Sequence, residues 1–178
     1  MSGSESLDDV DRARPGAGLS HLDGRGRAVM VDVGEKPTTA RVAVAEGFVR
    51  FGAALESAIR GNSVAKGPVL ETARLAGIMA AKRTDELIPL CHSLSLDAVE
   101  IEATLEPGCV RIVATARSHG RTGVEMEALV AVSIACLTVH DMGKAIDRGI
   151  VIDGVRLLEK HGGQRGSYVA PDREAERP

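Results

Sequence analysis

The sequence predicts an α+β fold in which helices cover one face of a mainly antiparallel sheet. Residues 99–117 show the alternation of a β-hairpin, segments near residues 41 and 150 also have strand patterns, and helical periodicity separates these strands. The order is therefore strand, helix, helix, hairpin, helix, strand. That order is typical of a ferredoxin-like α/β sandwich.

The first strand and the first helix are predicted close together. Residues 41–45 alternate weakly and indicate a strand that runs on toward Val49. Apolar side chains then recur at three- and four-residue steps over residues 48–60, which predicts a helix that ends at Gly61.

A second helix is predicted over residues 69–81, because Pro68 suits the first position of a helix. Pro89 breaks the helical pattern and holds an extended turn. The hairpin follows: apolar residues alternate with charged or polar ones on both sides of the turn at Pro107 and Gly108. Glutamates of its first strand are expected near arginines of its second, on a solvated face.

A long buried helix is predicted in the second half of the chain. Thr122 and Glu125 have capping-box spacing, so the helix is expected from residue 124 to about residue 146. Residues 128–139 carry no charge, which indicates burial in the core or between subunits, and the run is too short to span a bilayer. A last strand or strand pair follows over residues 150–158, before a flexible glycine-rich loop.

One domain is predicted over residues 19–168. Residues 1–18 are polar and acidic and are expected to form a disordered N-terminal extension, and residues 169–178 a flexible tail. The N-terminus lacks the apolar stretch of a secretory signal, so the protein is expected to be soluble and cytoplasmic.

Composition argues against several classes of function. A net charge of -3 and an aromatic content of 2% disfavour nucleic-acid binding. The three cysteines stand far apart and are interpreted as free thiols in a reducing compartment. The five histidines lack the spacing of a metal site, and no Walker loop, GxGxxG motif or GxSxG elbow occurs. A Ser-His-Asp triad without that elbow stays open.

Polar residues stand out at four places. His92 follows the rigid turn at Pro89, and a histidine there suits proton transfer or phosphate binding, although a structural histidine is the alternative. Glu127 is a site candidate because, unlike Glu125, it is not needed as a helix cap. Met126, which lies between Glu125 and Glu127, is interpreted as core packing unless it lines a site.

The other two places carry cations. Asp141 and Lys144 are three residues apart on the long helix and can pair, either in a site or as a surface ion pair. Gly143 between them costs roughly 1 kcal/mol relative to alanine, which indicates a close approach there. Lys66 precedes a helix start and suits an anion site, or it simply aids solubility.

Together these segments resemble the molybdenum cofactor biosynthesis protein C family, the cyclic pyranopterin monophosphate synthases. The resemblance covers residues 19–168. Its most specific parts are the runs LIPLCH at residues 87–92 and TGVEMEAL at residues 122–129. Further matches lie at residues 30–33, 36, 41, 66–67, 72–78, 80–84, 141–142, 144, 155–158, 160 and 162–163.

The resemblance implies a lyase that converts 3′,8-cyclo-7,8-dihydro-GTP into cyclic pyranopterin monophosphate and releases pyrophosphate, an early step of molybdenum cofactor biosynthesis. It implies a ferredoxin-like fold and a homo-oligomer, a hexamer built as a trimer of dimers, with active sites at subunit interfaces. No redox cofactor and no protein-held metal are expected. Magnesium stays open as a companion of the substrate's triphosphate. No nucleic-acid or membrane partner is expected.

The resemblance also implies roles for residues. Asp141 and Lys144 are expected to handle protons during ring opening and closure, and Lys66 to act as the general acid. A free lysine has a pKa of about 10.4, so that role needs cationic neighbours or burial. A carboxylate such as that of Glu127 suits the N–H donors of a guanine-like edge. The implied substrate-binding residues are Arg41 and Lys160, on the phosphates, with Leu90, Cys91, His92, Glu125, Met126 and Glu127.

Two departures from the family pattern occur. Ser93 stands where proline is usual, which predicts a looser turn. Gln164, Arg165 and Gly166 replace a Lys-Ser-Gly type of loop, and Arg165 is expected to supply the cation one place later. The alternatives to an enzyme are a non-catalytic ligand-binding domain and a family member without activity. The retained set favours the enzyme: Lys66, His92, Glu127, Asp141 and Lys144.

Overall fold

The structure is a computed structural model that describes residues 25–163 and 166–171. The chain divides into two compact units, residues 1–32 and residues 33–178, and the elements named below belong to the second. The predictions for residues 1–18, for Gln164 and Arg165 and for residues 172–178 lie outside the described residues. The expectation of one domain over residues 19–168 stays a prediction.

Among the described residues, five antiparallel strands form one open sheet. They are β1 (Thr39–Arg50), β2 (Ala98–Glu106), β3 (Cys109–Gly120), β4 (Val151–His161) and β5 (Tyr168–Val169). Their order across the sheet is β2-β3-β1-β4-β5, so that β1 is central and pairs on both sides. The predicted hairpin is confirmed, with Val99 opposite Ala116. Its expected cross-strand ion pair is found between Glu100 and Arg117, at 2.6 Å.

The part of the chain that the structure describes has four helices beside the sheet: α1 (Ala53–Arg60), α2 (Val69–Ala81), α3 (Thr84–Leu87) and α4 (Glu125–Gly143). Helices α2 and α4 pack against each other and on one face of the sheet. Alternate sheet residues such as Ala43, Ala45 and Ile112 are fully buried in the core between these layers. This arrangement confirms the predicted α+β class, and the order β1, α2, β2, β3, α4, β4 is ferredoxin-like.

The helix predicted over residues 48–60 is wrong in its first part. Residues 48–50 belong to β1, because backbone pairing with both β3 and β4 extends that strand and outweighs the helical spacing of its side chains. The helix begins after Gly52. Within α1, Leu55 and Ile59 are buried as their spacing predicted.

The capping box predicted for α4 is also wrong. The N-cap residue is Val124, and no side chain caps the helix. Glu125 instead accepts a hydrogen bond from Lys160 of β4, with Oε1 and Nζ 3.1 Å apart, so a long-range ion pair engages the carboxylate. The helix ends at Gly143, before the predicted end at about residue 146.

Among the described residues, α4 is the one helix long and apolar enough to cross a membrane by length and composition alone. Of the most apolar 18-residue stretch of α4, 56% is buried inside the fold. Val132, Ala135 and Cys136 are fully buried, which accounts for the uncharged run as core packing. Leu137 departs from the prediction of all-round burial, because it is 53% exposed.

A buried carboxylate joins three strands on the sheet face opposite the helices. Glu46 of β1 is 1% exposed and accepts hydrogen bonds from Arg111 Nη2 at 2.9 Å and from Arg156 Nε at 2.9 Å. Burial by itself raises the pKa of Glu46, but the hydrogen bonds and charges of the two arginines outweigh it and hold that pKa below its ordinary value. The sequence patterns did not single out this triad.

We expect Glu46→Ala to lower the free energy of unfolding by about 2 kcal/mol, because two arginines lose their shared acceptor. The arginine side chains are partly exposed, so water compensates some of the loss. Because the folded pKa of Glu46 is lowered, its contribution is present at neutral pH and is lost as the pH falls through that folded pKa. Urea unfolding at neutral pH measures the change, with the exposed Glu102→Ala as control. Equal midpoints for the two variants would contradict the expectation.

Candidate functional site

Three charged side chains meet where the loop after α1 reaches the end of α4. Lys144 Nζ is 2.7 Å from Asp141 Oδ1, so the pairing predicted from their spacing is present. Lys66, from the loop between α1 and α2, places Nζ 2.5 Å from Asp141 Oδ2 and 3.0 Å from the Asp141 backbone oxygen. We call Lys66, Asp141 and Lys144 the lysine–aspartate cluster.

This cluster holds two ammonium groups on one carboxylate at an exposed surface. Hydrogen bonds lower the pKa of Asp141 to about 2, with the larger contribution from Lys144 and the next from Lys66. Asp141 is therefore an anion at neutral pH and orients both lysines. Lys144 places a second ammonium group on the carboxylate that Lys66 contacts, and the Lys66 side chain is 47% exposed.

Two glutamates of the first turn of α4 lie at the opposite end of that helix. Glu125 pairs with Lys160, and Glu127 is only 4% exposed. Burial raises the pKa of Glu127 to about 7, a hydrogen bond from its own backbone N–H opposes the rise, and the charges of Glu125 and Asp85 add to it. Glu127 therefore exchanges its proton near neutral pH, as general acids and bases do. We call Glu125, Glu127 and Lys160 the glutamate cluster.

The segment after α3 shares the electrostatic environment of the glutamate cluster. Burial raises the pKa of the Cys91 thiol, and the charges of Glu127 and Asp85 raise it further, so Cys91 is a neutral thiol. At Ser93, the position expected to loosen the turn, the hydroxyl donates a hydrogen bond to the Asp85 carboxylate and ties the segment to α3. The other predicted binding residues of this region are half-buried: Leu90, His92 and Met126.

Arg41 lies at the end of the sheet that adjoins the start of α4. It is 9% exposed, and its Nε donates a hydrogen bond to the Gly120 carbonyl at 3.3 Å. No carboxylate in the part of the chain that the structure describes pairs with it. Gly162 and Gly163 have positive φ angles, and a side chain at Gly163 would overlap the guanidinium. The glycines thus leave room for a buried cation whose Nη groups donate to no described residue, as suits an anion site.

The structure does not bring all candidate residues together within one chain. Glu127 and Asp141 lie fourteen positions apart on α4, and a helix rises 1.5 Å per residue, so their backbones are about 21 Å apart. Arg41 also lies near the glutamate cluster. It stands on β1 two residues before Ala43, and Ala43 pairs with Lys160, the member of the cluster that binds Glu125. The lysine–aspartate cluster stands at the other end of the helix.

Other features of the described residues lie outside this site. No group of three or more His, Cys, Asp or Glu side chains that could hold a metal ion occurs among them. The cysteines are free, as predicted. A cavity of about 370 Å³ is lined by none of the candidate residues; its lining is Arg156, Leu157, Tyr168, Ala170 and Pro171.

The sequence matches the MoaC family over residues 30–163. A cyclic pyranopterin monophosphate synthase of Methylobacterium sp. (strain 4-46) is 58% identical over 157 residues, which are 86% of this chain and 98% of the relative. Cyclic pyranopterin monophosphate synthase 2 of Mycobacterium tuberculosis is 55% identical over 151 residues, 85% of this chain and 90% of the relative.

A relative from an animal is as similar but much longer. Molybdenum cofactor biosynthesis protein 1 of Drosophila melanogaster is 56% identical over 156 residues, which are 86% of this chain and 28% of that protein. The matched family region includes both the lysine–aspartate cluster and the glutamate cluster. This chain belongs to the MoaC family.

Proposed function

We propose that this chain is a lyase that converts 3′,8-cyclo-7,8-dihydro-GTP into cyclic pyranopterin monophosphate with release of pyrophosphate. Family membership and relatives named cyclic pyranopterin monophosphate synthase support this role in molybdenum cofactor biosynthesis. The observation that carries the proposal is the lysine–aspartate cluster, because it joins Lys66 to a residue 75 positions away. Two ammonium groups held on one anion suit proton donation to a phosphorylated, nucleotide-derived substrate.

Proton donation falls to the lysines in this proposal. With a pKa of about 2, Asp141 is a weak base and serves to orient Lys66 and Lys144. Lys66 is the general acid, and Lys144 supplies the second positive charge. Glu127, whose pKa is about 7, recognises the guanine-like edge and is able to take up or release a proton there.

The region around the glutamate cluster is proposed to bind the phosphates and the base of the substrate. Arg41 has Nη donors that no described residue engages and that suit phosphate oxygens, and Lys160 is positioned by Glu125 beside the same sheet end. Binding of a triphosphate there competes with Glu125 for Lys160. We assign the contacts around the base to the half-buried residues near the glutamate cluster: Leu90, Cys91, His92 and Met126.

A homo-oligomer is proposed because the two clusters are too far apart in one chain to act at one reacting centre. In a hexamer built as a trimer of dimers, the lysine–aspartate cluster of one copy would face the glutamate cluster of another. Exposed apolar residues on α2 and α4 suit burial between copies: Leu75, Met79 and Leu137.

The proposed reaction uses no redox cofactor. Magnesium, if required, is assigned to the substrate's triphosphate, because Mg²⁺ typically binds phosphates together with only one or two carboxylates. A soluble protein is proposed, because the core of the fold buries much of α4, and a cytoplasmic one, because the three cysteines are free thiols, as in a reducing compartment.

Turnover of the purified chain tests this proposal. With 3′,8-cyclo-7,8-dihydro-GTP as substrate, we expect pyrophosphate release together with a fluorescent pterin after oxidation of the product. Lys66→Ala should give neither product. Binding of the substrate by the wild-type chain without either product would contradict the proposal and would indicate a ligand-binding domain or an inactive family member.

A further inference from the structure

The turn after α4 contains a carboxylate that joins two helices. Asp147 Oδ2 accepts a hydrogen bond from the backbone N–H of Gly52 at 2.7 Å, and Asp147 Oδ1 accepts one from Gly149 at 2.7 Å. Gly52 is the N-cap residue of α1. One side chain thus connects the end of α4 to the beginning of α1.

A close packing contact supports the same connection. A side chain at Gly143, the last residue of α4, would lie 2.5 Å from Leu55 Cδ2 and 3.1 Å from Ile150 Cδ1. Leu55 belongs to α1 and is fully buried. Helix α1 therefore lies directly against the last turn of α4, which the absence of a side chain at Gly143 permits.

The lysine–aspartate cluster is built on these two joined segments. Asp141 and Lys144 flank Gly143, and the backbone N–H of Asp147 donates a hydrogen bond to the Gly143 carbonyl at 3.1 Å. Lys66 lies on the loop that follows α1. The C-terminal end of α1 thus leads into the loop of Lys66, and its N-terminal end is hydrogen-bonded to the turn after Lys144.

The charged groups cannot fix this geometry by themselves. Each side chain of the lysine–aspartate cluster is about half exposed, and exposed ion pairs contribute little to holding side chains in place. A reactive constellation needs support from neighbouring hydrogen bonds and packing that hold it to within about 0.5 Å. Among the described residues, the Asp147 carboxylate provides such support between the segments that carry Asp141 and Lys66.

We propose that Asp147 is a positioning residue, which sets the separation of Lys66 and Asp141 by fastening α1 to the end of α4. This inference rests on the proposed synthase function for its effect on turnover. The position of Lys66 relative to Asp141 is a separate property and can be measured without the reaction.

Asp147→Ala tests the proposal, with Asp153→Ala as the matched control. Asp153 also holds a partner, in an exposed ion pair with Arg50 at 2.7 Å on β4, and lies outside both clusters. We expect Asp147→Ala to lower kcat about 100-fold with little change in KM, since small displacements of reacting groups have costs of that order. Asp153→Ala should retain wild-type kcat. A purely structural role would reduce the folded fraction and leave the kcat of the folded molecules unchanged.

Amine labelling of Lys66 gives the second measurement. Brief treatment with acetic anhydride, followed by mass spectrometry, should modify Lys66 several times faster in folded Asp147→Ala than in the wild-type chain. Should Asp147→Ala fail to fold, Asp147→Asn keeps the side-chain volume and is expected to show the same two effects in weaker form. Wild-type kcat and wild-type labelling in a folded Asp147 variant would overturn the proposal. A wild-type chain without turnover would instead refute the proposed function, and Lys66 labelling would still decide the role of Asp147.

Discussion

Asp141→Asn is expected to reduce kcat/KM roughly 1,000-fold, because the proposed general acid Lys66 would lose the anion that positions it. The substitution keeps the shape of the side chain and removes its charge. Two ammonium groups would then share a neutral partner, so Lys66 and Lys144 would repel each other and lose their orientation. The fold should persist, because all three side chains are about half exposed.

Glu100→Gln is the matched control for this substitution. It also converts a carboxylate to an amide within an exposed ion pair, with Arg117 at 2.6 Å, but on the sheet and away from both clusters. Steady-state kinetics and thermal unfolding of the two variants should show unequal activity and similar stability. Turnover of Asp141→Asn near the wild-type rate would remove the charge of Asp141 from the mechanism.

The fold was predictable where a side-chain pattern had one interpretation. The β2–β3 hairpin is an example, because alternation over two strands and a Pro-Gly turn agree. The pattern at residues 48–60 had two interpretations, and pairing of β1 with strands distant in sequence decided between them. Helix α3 has four residues and β5 has two, which are too few to show a period.

The candidate site was predictable as a set of residues but not as an arrangement. Spacing alone pairs Asp141 with Lys144, whereas the contact with Lys66 depends on how the loop after α1 packs on α4. Glu125 matched a capping box locally and is engaged by Lys160 through the tertiary fold. Asp147 and Gly149 have the spacing of an Asx turn, a signal that the sequence carries, but the bond to Gly52 is visible only in the structure.

Two inactive variants are expected to restore activity to each other when they assemble together. Asp141→Asn damages the lysine–aspartate cluster, and Glu127→Gln damages the glutamate cluster about 21 Å away along α4. In a two-fold symmetric pair, each site would take one cluster from each copy. A mixed pair then contains one site with both defects and one site with none. Random mixing of equal amounts should therefore recover about a quarter of the wild-type activity, and pairs isolated as mixed should recover about half.

Co-expression of the two variants under different affinity tags, followed by purification through both tags, isolates the mixed assemblies for the turnover assay. Asp141→Asn mixed with Lys66→Ala is the control, because both substitutions damage the lysine–aspartate cluster and every site keeps a defect. Recovery in the first mixture and none in the second is expected only if the two clusters meet across a subunit interface. Failure of both mixtures to recover, with mixed assemblies present, would mean that each chain completes its own site. Because Glu127 and Asp141 are about 21 Å apart on one helix, they would then have to contact different parts of the substrate within the same chain.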